Sequence, residues 1–245
     1  TSNSEEEKKS SHYKTCGNGG CIYRAKKKLF LETSVGMTNL SYYLYESTFA
    51  KEIEYRDFLI VDECHNLEKE LMNFVNINLS TLYVKKNFKV DLPNFVTKTK
   101  YVDWMKTILH PAMIKRQQEL KSLVSYHKRK NDSEKTISAV KDLSILDKKI
   151  SSISIFLSKF DGINWALNKE RDGRSGWKIS FKPIKVEDFI REHIFSYANT
   201  IIMMSATILN KTIFCKTLGI QEDQCEYISV GSPFDKNNRP VHFLP

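Results

Sequence analysis

The sequence predicts an α/β protein with a parallel sheet, interrupted by a long helical insertion. Three observations carry that prediction. Phe58-Leu59-Ile60-Val61 is an apolar run that stops at Asp62-Glu63-Cys64-His65, and Ile201-Ile202-Met203-Met204 is a second that stops at Ser205-Ala206-Thr207. Between them, apolar residues recur every three or four positions along two long stretches. Short apolar runs bounded by polar residues read as strands buried on both faces, as in a parallel sheet covered by helices. The three-to-four spacing reads as amphipathic helix.

Each apolar run delivers functional groups to the carboxyl end of a strand, the edge where open α/β sheets keep their ligands. Asp62 and Glu63 are therefore expected in a crevice rather than in the core. Adjacent carboxylates at such an edge suit nucleotide hydrolysis, in which the first holds Mg²⁺ on the phosphates and the second orients or deprotonates the attacking water. The plainer reading of the same letters is a strand followed by the acidic start of a solvated helix. Ser205 and Thr207 are expected at the same edge, close enough to the acids for a hydrogen-bond relay through His65. Helix capping or packing is the simpler role for that His.

Composition bounds the remaining possibilities. A chain of 245 residues with 41% hydrophobic content can bury a sizeable core, which excludes a disordered protein. A formal net charge of +9 favours an anionic partner, most simply nucleic acid. No apolar segment approaches the roughly 18 to 20 residues of a membrane span, and Thr1 to Ser10 are polar where a signal peptide is apolar. The expectation is a soluble, intracellular protein, with a monomer favoured. Five cysteines in a chain of this length do not make a disulfide framework, leaving reduced thiols, a metal site or buried Cys.

In chain order, residues 1–14 lack an apolar period and read as a flexible segment. Cys16 and Cys21 bracket Gly17-Asn18-Gly19-Gly20, a turn in which two thiolates could face one metal or cluster, or a plain glycine turn with structural Cys. Ala25 to Leu31 reads as a helix with Lys26, Lys27 and Lys28 on it, a solvated face or a surface for backbone phosphates. Leu31 to Met37 reads as a short strand, Leu40 to Ala50 as a helix carrying Tyr42, Tyr43 and Tyr45, and Leu67 to Phe74 as another helix with Asn66 near its start. Residues 15–79 form the first part of the α/β unit on this reading.

Residues 80–177 change character. Ile137, Val140, Leu143, Leu146, Ile150, Ile153, Leu157 and Phe160 make one stripe of a long helix, and Val102 to His127 carries a similar stripe with Pro111 marking a kink or a new start. The simplest arrangement is an antiparallel helical hairpin with Lys128, Arg129 and Lys130 at its tip. Lys and Arg outnumber Asp and Glu here by two to one, as a non-specific strand-binding surface requires. Lys169 to Gly176, including Arg171 and Arg174, reads as a turn between strands, flanked by Trp165 and Trp177, for which packing is a simpler role than stacking on bases. Residues 178–245 return to the sheet through a strand ending near Pro183, a helix over Val186 to Tyr197, and the Ile201 strand.

The order of Cys16 to Tyr23, Thr38-Asn39, Asp62-Glu63-Cys64-His65, Ser205-Ala206-Thr207 and Gly231-Ser232-Pro233-Phe234-Asp235 resembles the XPD/DinG (Rad3-like) family of superfamily 2 DNA helicases. The resemblance implies a partial RecA-like motor domain whose insertion corresponds to an Arch domain, which helps enclose single-stranded DNA. It implies ATP and Mg²⁺ as cofactors, with Asp62 holding Mg²⁺ through water and Glu63 activating the hydrolytic water. His65, Ser205 and Thr207 would couple nucleotide state to DNA contacts, with 5′ to 3′ movement in repair or replication. In that family four Cys hold a 4Fe-4S cluster, and Cys21 followed by Tyr23 is similar to the latter part of the pattern. Cys64 stands where many relatives have Ala, a small residue in both cases.

No Gly-x-x-x-x-Gly-Lys-Ser/Thr phosphate loop occurs in these 245 residues. The expectation is therefore an internal piece of a helicase that does not hydrolyse ATP by itself. Two other classes compete with the motor: a nucleic-acid-binding module with the same fold and no ATPase activity, and a metal-centred redox or structural protein built on Cys16 and Cys21. A phosphate loop upstream of Thr1 separates the first pair, and iron and sulfide analysis separates the third.

Overall fold

The computed structural model describes residues 22–173, 176–208 and 210–231. Cys16, Cys21 and the glycines between them, the 1–14 segment, Arg174 and Ser232 to Asp235 lie outside those residues. The chain begins with helix α1 (Ile22–Glu32) and α2 (Leu40–Tyr45), which continues into a π-helical turn, Glu46–Ala50. Strand β1 (Arg56–Val61) leads through a short turn into α3 (Leu67–Val75), followed by β2 (Ile77–Ser80) and α4 (Thr81–Phe88). Helix α5 (Lys98–Trp104) and a second π turn, Met105–Leu109, run into α6 (His110–Arg129), which is followed by α7 (Ser133–Lys159). Strands β3 (Trp165–Asp172) and β4 (Gly176–Pro183), helix α8 (Glu187–His193), β5 (Ala198–Met203) and α9 (Lys211–Leu218) complete the order.

The protein is α/β, with a parallel pair and an antiparallel sheet. β1 pairs with β5 in parallel, with Leu59 opposite Ile201 and Val61 opposite Met203. The antiparallel sheet has the order β2-β4-β3, with Ile77 opposite Phe181 and Leu167 opposite the same Phe181. Everything from α3 to α8 is therefore inserted in sequence between two adjacent strands.

α6 and α7 form the helical hairpin that the periodicity predicts. Asn131 takes a left-handed φ of 54° in the tight link, and the Asp132 carboxylate caps α7 by accepting from the Lys135 amide at 3.1 Å. Leu146 and Ile153 of the expected stripe are buried, and so is Phe156, which stands beside it. Pro111 sits in the first turn of α6, where its missing N–H costs nothing. Phe156 packs edge-on against Trp165 at 4.7 Å and at a tilt of 50° against Phe181 at 4.9 Å, which joins the hairpin to the antiparallel sheet. Packing is thus the role the structure gives Trp165, while Trp177 is half-buried beside Tyr101.

Three expectations are corrected. Leu31 to Met37 is not a strand: α1 runs to Glu32, and the Arg56 guanidinium holds the chain there by donating to the carbonyls of Leu31 at 2.9 Å and Thr33 at 2.8 Å. The turn between strands is shorter than Lys169 to Gly176, because β3 runs on through Lys169 to Asp172 and β4 begins at Gly176. The outward positions of β3 are Ala166, Asn168, Glu170 and Asp172, and the other face is apolar only at Trp165 and Leu167 before Lys169 and Arg171. Finally, β1 is not buried on both faces. Leu59 and Val61 point inward, whereas Phe58 is 63% and Ile60 59% exposed, since among the described residues no helix covers that side.

Candidate active site at the rim of the parallel pair

The register of β1 and β5 ends both strands at the same level. The backbones then remain locked for one more step: the Met204 amide donates to the Val61 carbonyl at 2.9 Å, and the Cys64 amide to the Met204 carbonyl at 3.0 Å. Residues 62–65 and 204–207 are thereby brought to one rim although 140 positions separate His65 from Ser205. Cys64 is the anchor of this turn. It is 1% exposed, and burial, with the negative charges of Glu63 and Asp62 beside it, pushes its thiol above the usual range.

With Cys64 pointing inward, its neighbours face out. Asp62, Glu63 and His65 are exposed, and the Asp62 carboxylate accepts from the Glu63 amide at 2.9 Å. Glu63 itself is left-handed, with φ 50° and ψ 40°, which costs a residue with a Cβ on the order of 1 kcal/mol. The compensation is local, since the Glu63 carbonyl accepts from the Asn66 amide at 2.9 Å and the chain enters α3 in one turn. Asn66 stands at the start of that helix without a side-chain cap.

His65 joins the two segments. Its Nδ1 lies 2.8 Å from Ser205 Oγ and 3.2 Å from Glu63 Oε2. Ser205 Oγ in turn accepts from the Thr207 amide at 3.1 Å and lies 3.2 Å from Thr207 Oγ1. The result is a connected path from carboxylate through imidazole to two hydroxyls. An Nδ1–H shared between Glu63 and Ser205 uses the path in one direction, and a Ser205 hydroxyl donating to a bare Nδ1 uses it in the other. At this exposure the Glu63–His65 contact contributes little to stability. Its significance is positional.

Asp62 and Glu63 are the carboxylates at the rim available to a cation. Among the described residues no three His, Cys, Asp or Glu side chains gather in a metal-binding group, so a cation here would take its remaining oxygens from water or phosphate, as Mg²⁺ commonly does.

The predicted cationic residues separate into two kinds. Lys26 and Lys28 are exposed on α1, with Lys28 beside Glu32 at 3.7 Å. Lys27 is turned inward, its ammonium 2.9 Å from both carboxylate oxygens of the buried Glu46 and 2.8 Å from Glu52. That charge is neutralised within the protein, so Lys27 is a structural residue here rather than a surface for phosphates. At the hairpin tip Arg129 and Lys130 are exposed and Lys128 is half-buried.

Sequence reasoning missed a further basic group. A cleft of about 640 Å³ between α7 and the antiparallel sheet is lined by Lys148, Lys149 and Lys178 together with Tyr45, Tyr83 and the acidic Asp172. Lys149 Nζ donates to the Asn78 carbonyl at 3.0 Å, and burial, then Lys178, holds its pKa below the ordinary lysine value. Lys148 lies 4.4 Å above the Tyr45 ring. The Lys148-Lys149 pair was visible in the sequence. Its convergence with Lys178 depends on how α7 lies on β4.

Comparison of the chain with protein-family models and with curated proteins found no match. Among the described residues no helix is long and apolar enough to cross a membrane. What fold and site define is thus an α/β protein with a carboxylate–imidazole–hydroxyl path at the rim of a parallel strand pair.

Proposed function

We propose that this chain carries part of the motor of an ATP-dependent helicase of the XPD/DinG (Rad3-like) type, moving on single-stranded DNA with 5′ to 3′ polarity. On this reading the parallel pair belongs to a RecA-like motor domain and the helical hairpin to an Arch-like insertion. One observation carries it: two motifs distant in sequence meet at one sheet rim, with His65 Nδ1 2.8 Å from Ser205 Oγ. Asp62 would hold Mg²⁺ through water on the phosphates of ATP, and Glu63 would accept a proton from the attacking water. His65 sits between Glu63 and Ser205, so loss of the γ-phosphate near Glu63 would be felt at Ser205 and Thr207, on the segment leading into α9. The cleft with Lys148, Lys149, Lys178 and Tyr45 supports strand binding, since dispersed cations with aromatic rings beside them suit a sequence-independent backbone path.

The test is Glu63→Gln in the full-length gene product. DNA-stimulated ATP hydrolysis should fall by at least about 100-fold, the scale of losing a general base, while ATP and single-strand affinity stay within a factor of a few. Unchanged turnover removes Glu63 from the mechanism. Strand binding without any ATP binding assigns the protein instead to the class of nucleic-acid-binding modules that keep the fold and lack the motor.

A further inference from the structure

We propose that Cys215 and Cys225 form a redox-responsive thiol pair, which a hydroperoxide converts to an intramolecular disulfide. The two sulfurs are 3.5 Å apart and unbonded. A disulfide needs about 2.05 Å, so closure asks for a movement of roughly 1.5 Å, within the reach of side-chain rotation with a small backbone adjustment.

The fold holds the pair together by several independent contacts. Cys215 lies on α9, buried against the core. The helix ends at Gly219, whose φ of 68° turns the chain back, and the Ile220 amide donates to the Cys215 carbonyl at 2.9 Å. A Cβ at Gly219 would come within 2.4 Å of Glu187 Cβ on α8, so the turn is seated against its neighbour as well. Lys211, at the other end of α9, donates to the Glu222 carbonyl at 3.2 Å and the Cys225 carbonyl at 3.3 Å, folding the returning chain along the helix. Tyr227, two residues beyond Cys225, pins the returning chain again by donating to the Ile208 carbonyl at 3.2 Å. These contacts pre-position Cys225 over Cys215 without any covalent link.

The two thiols differ in access. Cys225 is half-buried and meets the oxidant, whereas Cys215 is 2% exposed, and burial followed by the neighbouring Cys225 sulfur pushes its thiol up to about 11. In the first step the Cys225 thiolate attacks a peroxide oxygen. An S–O bond forms, the O–O bond breaks, and the released hydroxide or alkoxide takes up a proton, leaving a sulfenic acid. In the second step Cys215 sulfur attacks Cys225 sulfur. The S–S bond forms, the S–O bond breaks, and the departing hydroxide leaves as water with the proton that Cys215 gives up. Two electrons pass from the two thiols to the peroxide. Cys215 is protonated at neutral pH, so the second step is slow, which suits a stoichiometric sensor rather than a peroxidase. Neither sulfur touches the rim residues, so the proposal does not depend on the ATP reading.

The reduced full-length protein is exposed to hydrogen peroxide, quenched with an alkylating reagent, and mapped by peptide mass spectrometry. The expected product is a Cys215–Cys225 cross-linked peptide lighter by two hydrogens, reversed by dithiothreitol, with Cys64 still alkylated on unfolding. In Cys225→Ser, oxidation of Cys215 should slow by at least tenfold because the accessible partner is gone. Accumulation of Cys225 sulfinic acid while Cys215 remains a free thiol overturns the proposal, and so does pairing of either residue with another cysteine. The wild-type mapping decides the matter even if the variant fails to fold.

Discussion

The two sheets of this protein are built to different standards. The antiparallel sheet and its hairpin close on a full core, in which Phe181 and Ile179 are 0% exposed and Phe156 and Trp165 1%. The parallel pair that carries the acidic rim leaves Phe58 63% and Ile60 59% exposed on one face. Among the described residues the inserted part thus contains most of the buried apolar side chains, while the candidate chemistry sits on the more thinly covered part. Stability and function are therefore separable by mutation.

The sharpest test of that contrast is Phe156→Ala. It removes the ring between Trp165 and Phe181 and should lower unfolding free energy by about 3–5 kcal/mol, measured by denaturant titration. A loss under about 1 kcal/mol would show that the inserted part does not hold the core. Next in size is Lys27→Ala, which strands the buried Glu46 carboxylate. Breaking a buried pair costs about 3–5 kcal/mol, reduced here towards about 2 because Lys27 keeps 21% of its side-chain exposure. If the variant instead keeps its stability and loses affinity for single-stranded DNA, Lys27 belongs to a surface for backbone phosphates after all.

His193 tests the seam between the two parts. It is buried on α8, stacks on Phe189, meets Phe74 of α3 edge-on at 5.9 Å, and pairs Nδ1 with Thr48 Oγ1 at 3.1 Å, while Nε2 has no partner among the described residues. Burial lowers its pKa, with Glu192 opposing and Lys159 assisting. The unfolded chain then binds the proton more readily than the native one. The stability due to neutral His193 is complete above about pH 6.5 and drains as pH falls from there towards the lower folded value. Denaturation midpoints measured between about pH 5 and 8 should fall towards acid, with a shallower slope in His193→Gln; an unchanged slope assigns the acid sensitivity to other groups.

The smallest effect expected is that of Phe58→Ser, within about 0.5 kcal/mol, because the ring already faces solvent. A loss above about 2 kcal/mol would mean that this face is covered in the folded protein in solution.

The rim was legible in the sequence because strand ends announce themselves: an apolar run that stops at acids, and another that stops at hydroxyls. The helical hairpin was legible for a similar reason, since its stripe through Leu143, Leu146, Ile150 and Ile153 is a local pattern. β2 was not, because it is four residues long, and neither was the run of β3 past Lys169, where Glu170 and Asp172 are exposed and leave no alternation to read. The inward turn of Lys27 was equally hidden. Within Lys26-Lys27-Lys28 nothing distinguishes the middle residue, and its partners lie 19 and more positions away.

By itself the sequence determined which residue types stand at the ends of strands and along the helices, because periodicity and local chemistry act between near neighbours. Tertiary structure alone decided that His65 meets Ser205, that Lys148 and Lys149 meet Lys178, and that Cys225 lies over Cys215. Those encounters depend on strand register and on the seating of one element against another. Such long-range contacts are fixed when the whole core closes, and no short stretch of chain contains the information for them.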